Sequence, residues 1–286
     1  MNKLVVWLLF GGALLAQTSH LRVIAIGAHP DDCDLRAAGT AALWVAHGAA
    51  VKFVSVTNGD MGHQSMQPVE LAARRLKEAK ESARRLGIEY DVLDNHDGEL
   101  LPTLEVRRQI IREIREWNAD VVLAPRPNDY HPDHRYTGVL VQDAAYMVVV
   151  PHLVPEARAL RKNPVFLYFE DGFQRPNPFR PDIAVSIDSV IDQKIDALDA
   201  HVSQFYEWLP SVDQKLNEVP QDPSARKAWL KRTRTSLINP ATRASLVKWY
   251  GAQKGNAAKH YEAFEICEYG AHPDDARIRE LFPMLK

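Results

Sequence analysis

Apolar and polar positions alternate along this chain in two different rhythms. Short, nearly continuous apolar runs at 21–26, 51–57, 90–93 and 121–124 predict buried strands. The stretches between them carry apolar residues at helical spacing. Segment 32–47 is alanine-rich and stops at Gly48, 70–86 stops at Gly87, and 104–118 places Val106, Ile110, Ile111 and Ile114 on one stripe. A further helix is predicted over 135–149. Strand-helix alternation of this kind predicts an α/β fold: a mostly parallel sheet covered on both faces, hence three layers.

The second half is less regular. Strands are expected at 165–169 and 183–186, a helix over 188–205, and a strand-like segment around Cys267. Residues 208–250 are polar, rich in Lys and Arg, and helical in pieces, with Trp208, Trp229 and Trp249 spaced along them as packing residues. The basic run from Lys227 to Arg234 reads as a solvated helix face. No Gly/Ser linker separates the halves, so residues 21–286 are expected to form one domain, with a helical branch-specific segment at about 206–260.

Lys3 followed by the apolar stretch 4–16 predicts a secretory signal peptide cut near Ala16. The product is then secreted or periplasmic, with no stable membrane insertion after cleavage; the competing reading is a buried first helix. A net charge of -2 implies no bulk attraction to nucleic acid. Of 286 residues only two, Cys33 and Cys267, are cysteines; both read as small buried side chains.

Chemistry is concentrated in two clusters. Gly27-Ala28-His29-Pro30-Asp31-Asp32 follows the first strand, and His131-Pro132-Asp133-His134 follows the fourth. In an open parallel sheet, ligands bind beyond the carboxyl ends of the strands, which is where both clusters fall. Helix capping accounts for one of the aspartates but leaves the pair and His29 without a role. A divalent metal accounts for more: His29, Asp32 and His134 make the two-histidine, one-carboxylate set of a catalytic zinc with an open position. Asp31 is then free as a general base on water. His131 can face an oxyanion or protonate a leaving nitrogen, with Asp133 fixing its orientation. The pattern predicts metal-assisted hydrolysis of an amide or ester. Iron(II) would suit the same ligands. Residues 270–275 repeat the first motif in a different context and read as a surface turn.

These two motifs, Thr57-Asn58-Gly59-Asp60-Met61-Gly62, the helix from Arg75-Leu76-Lys77-Glu78 to Leu86-Gly87, His201-Val202-Ser203-Gln204 and Glu262-Ala263-Phe264 resemble the PIG-L/LmbE-like family of zinc-dependent N-acetylglucosaminyl deacetylases. The resemblance implies a Rossmann-like fold and removal of acetyl from a small-molecule amino-sugar conjugate. It also implies substrate contacts at Arg75 and Asp97, with Asp60 standing where many relatives carry Glu. Three alternatives stay open. Arg75 pairs with a neighbouring carboxylate instead; the same zinc site cleaves another amide, in a thiol conjugate or antibiotic; or the chain is a non-catalytic sugar- or metal-binding protein. A homo-oligomer is compatible with all of these.

Overall fold

The computed structural model describes residues 21–286; the expected signal peptide at 1–16 lies outside the described residues. Seven strands form one sheet: β1 (Arg22–Gly27), β2 (Ala50–Thr57), β3 (Glu89–Asn95), β4 (Val121–Ala124), β5 (Val165–Phe169), β6 (Ile183–Ser186) and β7 (Tyr261–Ile266), in the order β3-β2-β1-β4-β5-β7-β6. The first five positions in that order are parallel, and β7 runs antiparallel to both β5 and β6. The expected mostly parallel sheet is therefore present, with an antiparallel edge.

Alternate residues of the central strands enter different cores, as the pleat requires. Val23, Ala25, Val121 and Leu123 join one apolar cluster; Ile24, Ile26, Val122 and Ala124 join the other. The nine α-helices among the described residues are α1 (Asp32–Ala46), α2 (Pro68–Leu86), α3 (Leu104–Glu116), α4 (Pro132–Met147), α5 (Ile191–Asp199), α6 (Leu209–Val212), α7 (Pro223–Thr233), α8 (Pro240–Ala257) and α9 (Asp275–Leu281). Trp44 of α1, Ala79 and Leu86 of α2 and Ile195 of α5 cover the first face. Ile110, Ile111 and Ile114 of α3 and Leu140 and Val141 of α4 cover the second. The arrangement has three layers.

Several boundaries differ from expectation for local reasons. Helix α4 starts at Pro132 because His131 caps it: the His131 ring accepts the Asp133 N–H at 3.2 Å, and proline suits the first turn. The helix expected over 188–205 divides into a 3₁₀ turn (Asp188–Val190), α5 and a wide turn at Ser203–Trp208 with π-type bonding. The late strand lies just before Cys267. Trp229 and Trp249 are buried in the first core, whereas Trp208 lines a cavity. Both cysteines are buried and free. In the second copy of the motif His272 is exposed and Asp274 caps α9, accepting the Arg277 N–H at 2.7 Å.

What positions the chemistry is the strand order. β1 and β4 are hydrogen-bonded neighbours, yet the chain leaves β1 toward β2 and β3 on one side and β4 toward β5 on the other. The loops after β1 and β4 therefore diverge and open a crevice between them.

Candidate metal centre and active site

The β1–α1 turn is organised by Asp32. Its Oδ2 accepts the backbone N–H of Ala28 at 2.9 Å and of His29 at 2.8 Å, which folds the carboxylate back over the strand end. Gly27 makes room: a Cβ there would lie 2.7 Å from the Asp32 Cβ. Across the crevice the capping turn of α4 brings His131 and His134 to the same place.

Three donor atoms then converge. His29 Nδ1 lies 3.1 Å from His134 Nε2, and Asp32 Oδ2 lies 3.5 Å and 3.4 Å from those two nitrogens. The outer nitrogen of each ring is held by a carboxylate. His29 Nε2 is 3.0 Å from Asp97 Oδ1 and 3.4 Å from Asp133 Oδ2, and His134 Nδ1 is 3.1 Å from Asp129 Oδ1. With a metal bound, these contacts would hold the ring protons on the outer nitrogens and free the inner ones as ligands. Tetrahedral zinc with bonds of about 2.0–2.1 Å separates its ligand atoms by about 3.3 Å. The three observed separations bracket that value, so the residues present fit the metal.

The electrostatics follow from the same contacts. Burial opposes the charged form of His29, but its bonds to Asp133, Asp32 and Asp97 outweigh it and push the imidazole well above its ordinary range. His134 is raised likewise: burial opposes, and the Asp32 charge and the Asp129 bond prevail. Burial would raise the Asp32 and Asp97 carboxyls, but the His134 and His29 charges hold Asp32 far below the usual range, and the His29 bond holds Asp97 at about 2. His131 moves the other way. Burial and the neighbouring His29 and His134 charges lower it, favouring the neutral ring. With its Nδ1 accepting from Asp133 N–H, that neutral ring carries its proton on Nε2.

Asp31 sits beside this cluster. Arg75 Nη2 donates to its Oδ1 at 2.7 Å, while burial, the largest influence, raises the carboxyl above its ordinary value against the Arg75 charge. Gly59 lies at φ +70°, and a Cβ there would strike the Arg75 guanidinium at 2.5 Å; its own carbonyl accepts from Arg75 Nη1 at 3.2 Å. Arg75 is thus buried and engaged by Asp31, the pairing alternative, with Asp97 3.8 Å away.

Two residues make contacts other than those expected. Asp60 is not among the cavity-lining residues: its carboxylate accepts the Asp97 N–H at 3.0 Å and bonds His96 Nδ1 at 2.7 Å, so it braces the Asp97 loop. The Asp133 carboxylate is directed at His29, and it accepts the Gly98 N–H at 2.6 Å, rather than orienting the His131 ring; its Oδ1 is buried without a partner. Asp129, which no sequence motif singled out, supports both histidines of the loop, accepting the His131 N–H at 2.9 Å as well as bonding His134. His63 Nε2 bonds Glu207 at 2.9 Å.

His29, Asp31, Asp32, His131 and His134 line a cavity of about 520 Å³, whose walls also include Tyr130, packed against His131 and His134, with Phe173 and Trp208. An α/β sheet with histidine and carboxylate donors gathered in the crevice beside β1 and β4 defines an enzyme-like protein with a candidate metal centre. Comparison with known proteins specifies which. The family described as GlcNAc-PI de-N-acetylase (PIG-L) matches residues 24–145. Diacetylchitobiose deacetylase of Thermococcus kodakarensis is 34% identical over 192 residues, covering 65% of this chain and 71% of the relative. "Probable N-acetyl-alpha-D-glucosaminyl L-malate deacetylase 2" of Bacillus anthracis is 28% identical over 222 residues, covering 73% and 92%. The structure of N,N'-diacetylchitobiose deacetylase from Pyrococcus horikoshii superposes with a TM-score of 0.64 at 27% identity, covering 86% of this chain and 84% of that one. The chain belongs to the PIG-L deacetylase family.

Proposed function

We propose that this protein is an amide hydrolase that removes the N-acetyl group from an N-acetylglucosamine-type sugar conjugate, using a divalent metal at His29, Asp32 and His134. The observation that carries the reading is the convergence of three potential ligand atoms at 3.1–3.5 Å, each ring backed by its own carboxylate. Family membership supports the reaction, and the histidine-rich donor set favours zinc, with iron(II) as the competitor.

A metal bound there supplies Lewis acidity toward the acetyl carbonyl and lowers the pKa of water. The chain's own groups do the rest. Asp31, ionised and fixed by Arg75, takes a proton from water as the water oxygen adds to the amide carbon. The neutral His131 presents its Nε2–H to the oxygen that gains charge. As the C–N bond breaks, the proton that Asp31 took from water passes to the sugar nitrogen, giving acetate and the free amine. Asp97, Asp129 and Asp133 act through the histidines they hold, as positioning residues.

Acetate release on a panel of N-acetylglucosamine conjugates tests this, with Asp31→Asn as the blank. Release that depends on Asp31 supports the reading. A metal-replete protein inert on every amino-sugar amide but active on a thiol-conjugate or antibiotic amide would move the substrate, and one inert on all would leave only metal or sugar binding. For residues 1–16 the reading as an export signal is supported by their sequence; N-terminal sequencing of the mature protein tests it.

A further inference from the structure

Four arginines line the cavity, and they are not equivalent. Arg75 is spent on Asp31. Arg126 is chelated by Asp171, with both contacts at 2.6 Å. Arg36 and Arg234 have no carboxylate or hydrogen-bond acceptor on their guanidinium groups among the described residues. The Arg234 Nε is buried without a partner, its guanidinium lying 5.5 Å from the centre of the Phe205 ring. Arginine donors buried this way are usually satisfied.

The two arginines stand together in the fold. A second cavity of about 180 Å³ adjoins the first, and the residues common to both are Leu35, Arg36, Glu170 and Arg234. Arg36 comes from α1, one turn beyond the metal-ligand position Asp32, about 6 Å along the helix axis. Arg234 comes from the end of α7, across the cavity wall. Glu170 is the one carboxylate at the junction. It accepts from the Tyr261 hydroxyl at 2.8 Å, and burial pushes its carboxyl up. With two guanidiniums against one carboxylate the junction is cationic on balance, and the acidic charges acting on Arg234 are those of Asp213 and Asp31.

We propose that Arg36 and Arg234 form an anion subsite, and that the substrate carries a phosphate or carboxylate besides its acetamide. This rests on the deacetylase reading and deepens it: attraction of the anionic group to the two guanidiniums orients the conjugate with its acetamide toward His29, Asp32 and His134. The planar forks suit either oxyanion.

The test compares acetate release from N-acetylglucosamine 1-phosphate, an N-acetylglucosamine–glucuronic acid disaccharide and methyl N-acetylglucosaminide. Wild type should prefer at least one anionic substrate. In Arg36→Gln and Arg234→Gln the preference, as a ratio of kcat/KM values, should fall by about 10- to 100-fold, the worth of a hydrogen bond to a charged group; Arg36→Lys and Arg234→Lys should keep much of it. Preference for the phosphate names a phosphorylated sugar, and preference for the glucuronide a carboxylated one. No preference in wild type, or equal loss on all three substrates in the Gln variants, overturns the subsite while leaving the deacetylase reading in place. Titration calorimetry of N-acetylglucosamine 1-phosphate into Asp31→Asn separates the reverse case. Binding that Arg234→Gln weakens, in a protein that releases acetate from nothing, keeps the subsite and rejects the reaction.

Discussion

Asp129 supplies the sharpest test of how the centre is built, because one oxygen does two jobs. Its Oδ1 holds the outer nitrogen of His134 at 3.1 Å and the backbone N–H of His131 at 2.9 Å. Asp129→Asn keeps an oxygen that can accept both hydrogens but removes the charge that makes the His134 ring a better donor. Asp129→Ala removes both bonds. Loss of such a partner behind a metal-bound histidine costs about 10–100-fold in metal affinity, or about 1.4–2.8 kcal/mol. Asn should fall at the lower end of that range and Ala at the upper end, with a further loss of turnover in Ala because the His131 loop loses a tether. Competition against a chromophoric chelator gives the metal Kd, and acetate release at saturating metal gives kcat. Unchanged metal affinity in both variants would refute the reasoning, because it would mean that the 3.1 Å contact does not set the protonation or orientation of His134.

Other outcomes follow from neighbouring contacts. Asp31 must be ionised to take a proton, so activity falls as pH drops through its pKa. Burial sets that acid limb above the ordinary carboxylate range and the Arg75 charge opposes the shift, so Arg75→Gln should move the limb of the kcat/KM profile to higher pH; a limb that stays put or moves lower contradicts the base assignment. Glu262 is buried and accepts from Gly39 N–H at 2.9 Å, Thr40 N–H at 2.7 Å and Lys194 Nζ at 2.7 Å. Glu262→Ala strands the Lys194 ammonium and should cost about 3–5 kcal/mol in urea unfolding; a cost under about 1 kcal/mol would show that the pair relaxes into water. His272→Ala should leave metal content and turnover unchanged, since His272 is exposed in the turn before α9, and a dead variant would mean that the second motif has a role.

The parallel core and the identities of the converging donors could be read in the chain because they depend on local pattern. Apolar runs at strand length fixed β1, β2 and β4, and two polar clusters at their ends had no cheaper explanation than a shared ion. What escaped was set by distance in sequence. Asp129 looks like any turn aspartate until α4 folds His134 back onto it. Asp60 is placed by the resemblance and Asp133 by its nearness to His131 in the chain, yet Asp60 turns to the Asp97 loop, and the Asp133 carboxylate turns to His29, 104 positions away in the numbering. Arg234 ended a run that reads as a solvated face; Lys227 and Lys231 of that run do pair with Asp196 and Asp192, while Arg234 turns inward where α7 ends. Strand β7 inserts between β5 and β6 from almost a hundred residues away, a pairing that no local periodicity encodes.

The most direct test of the central claim is a titration of zinc into metal-free protein, with acetate release followed on a responsive N-acetylglucosamine conjugate. Activity should rise linearly to one equivalent of zinc and then stop rising, and His134→Ala should neither retain that equivalent nor gain activity. Acetate release that is full without metal, or a His134→Ala variant that binds one zinc and turns over normally, would contradict a centre built from His29, Asp32 and His134.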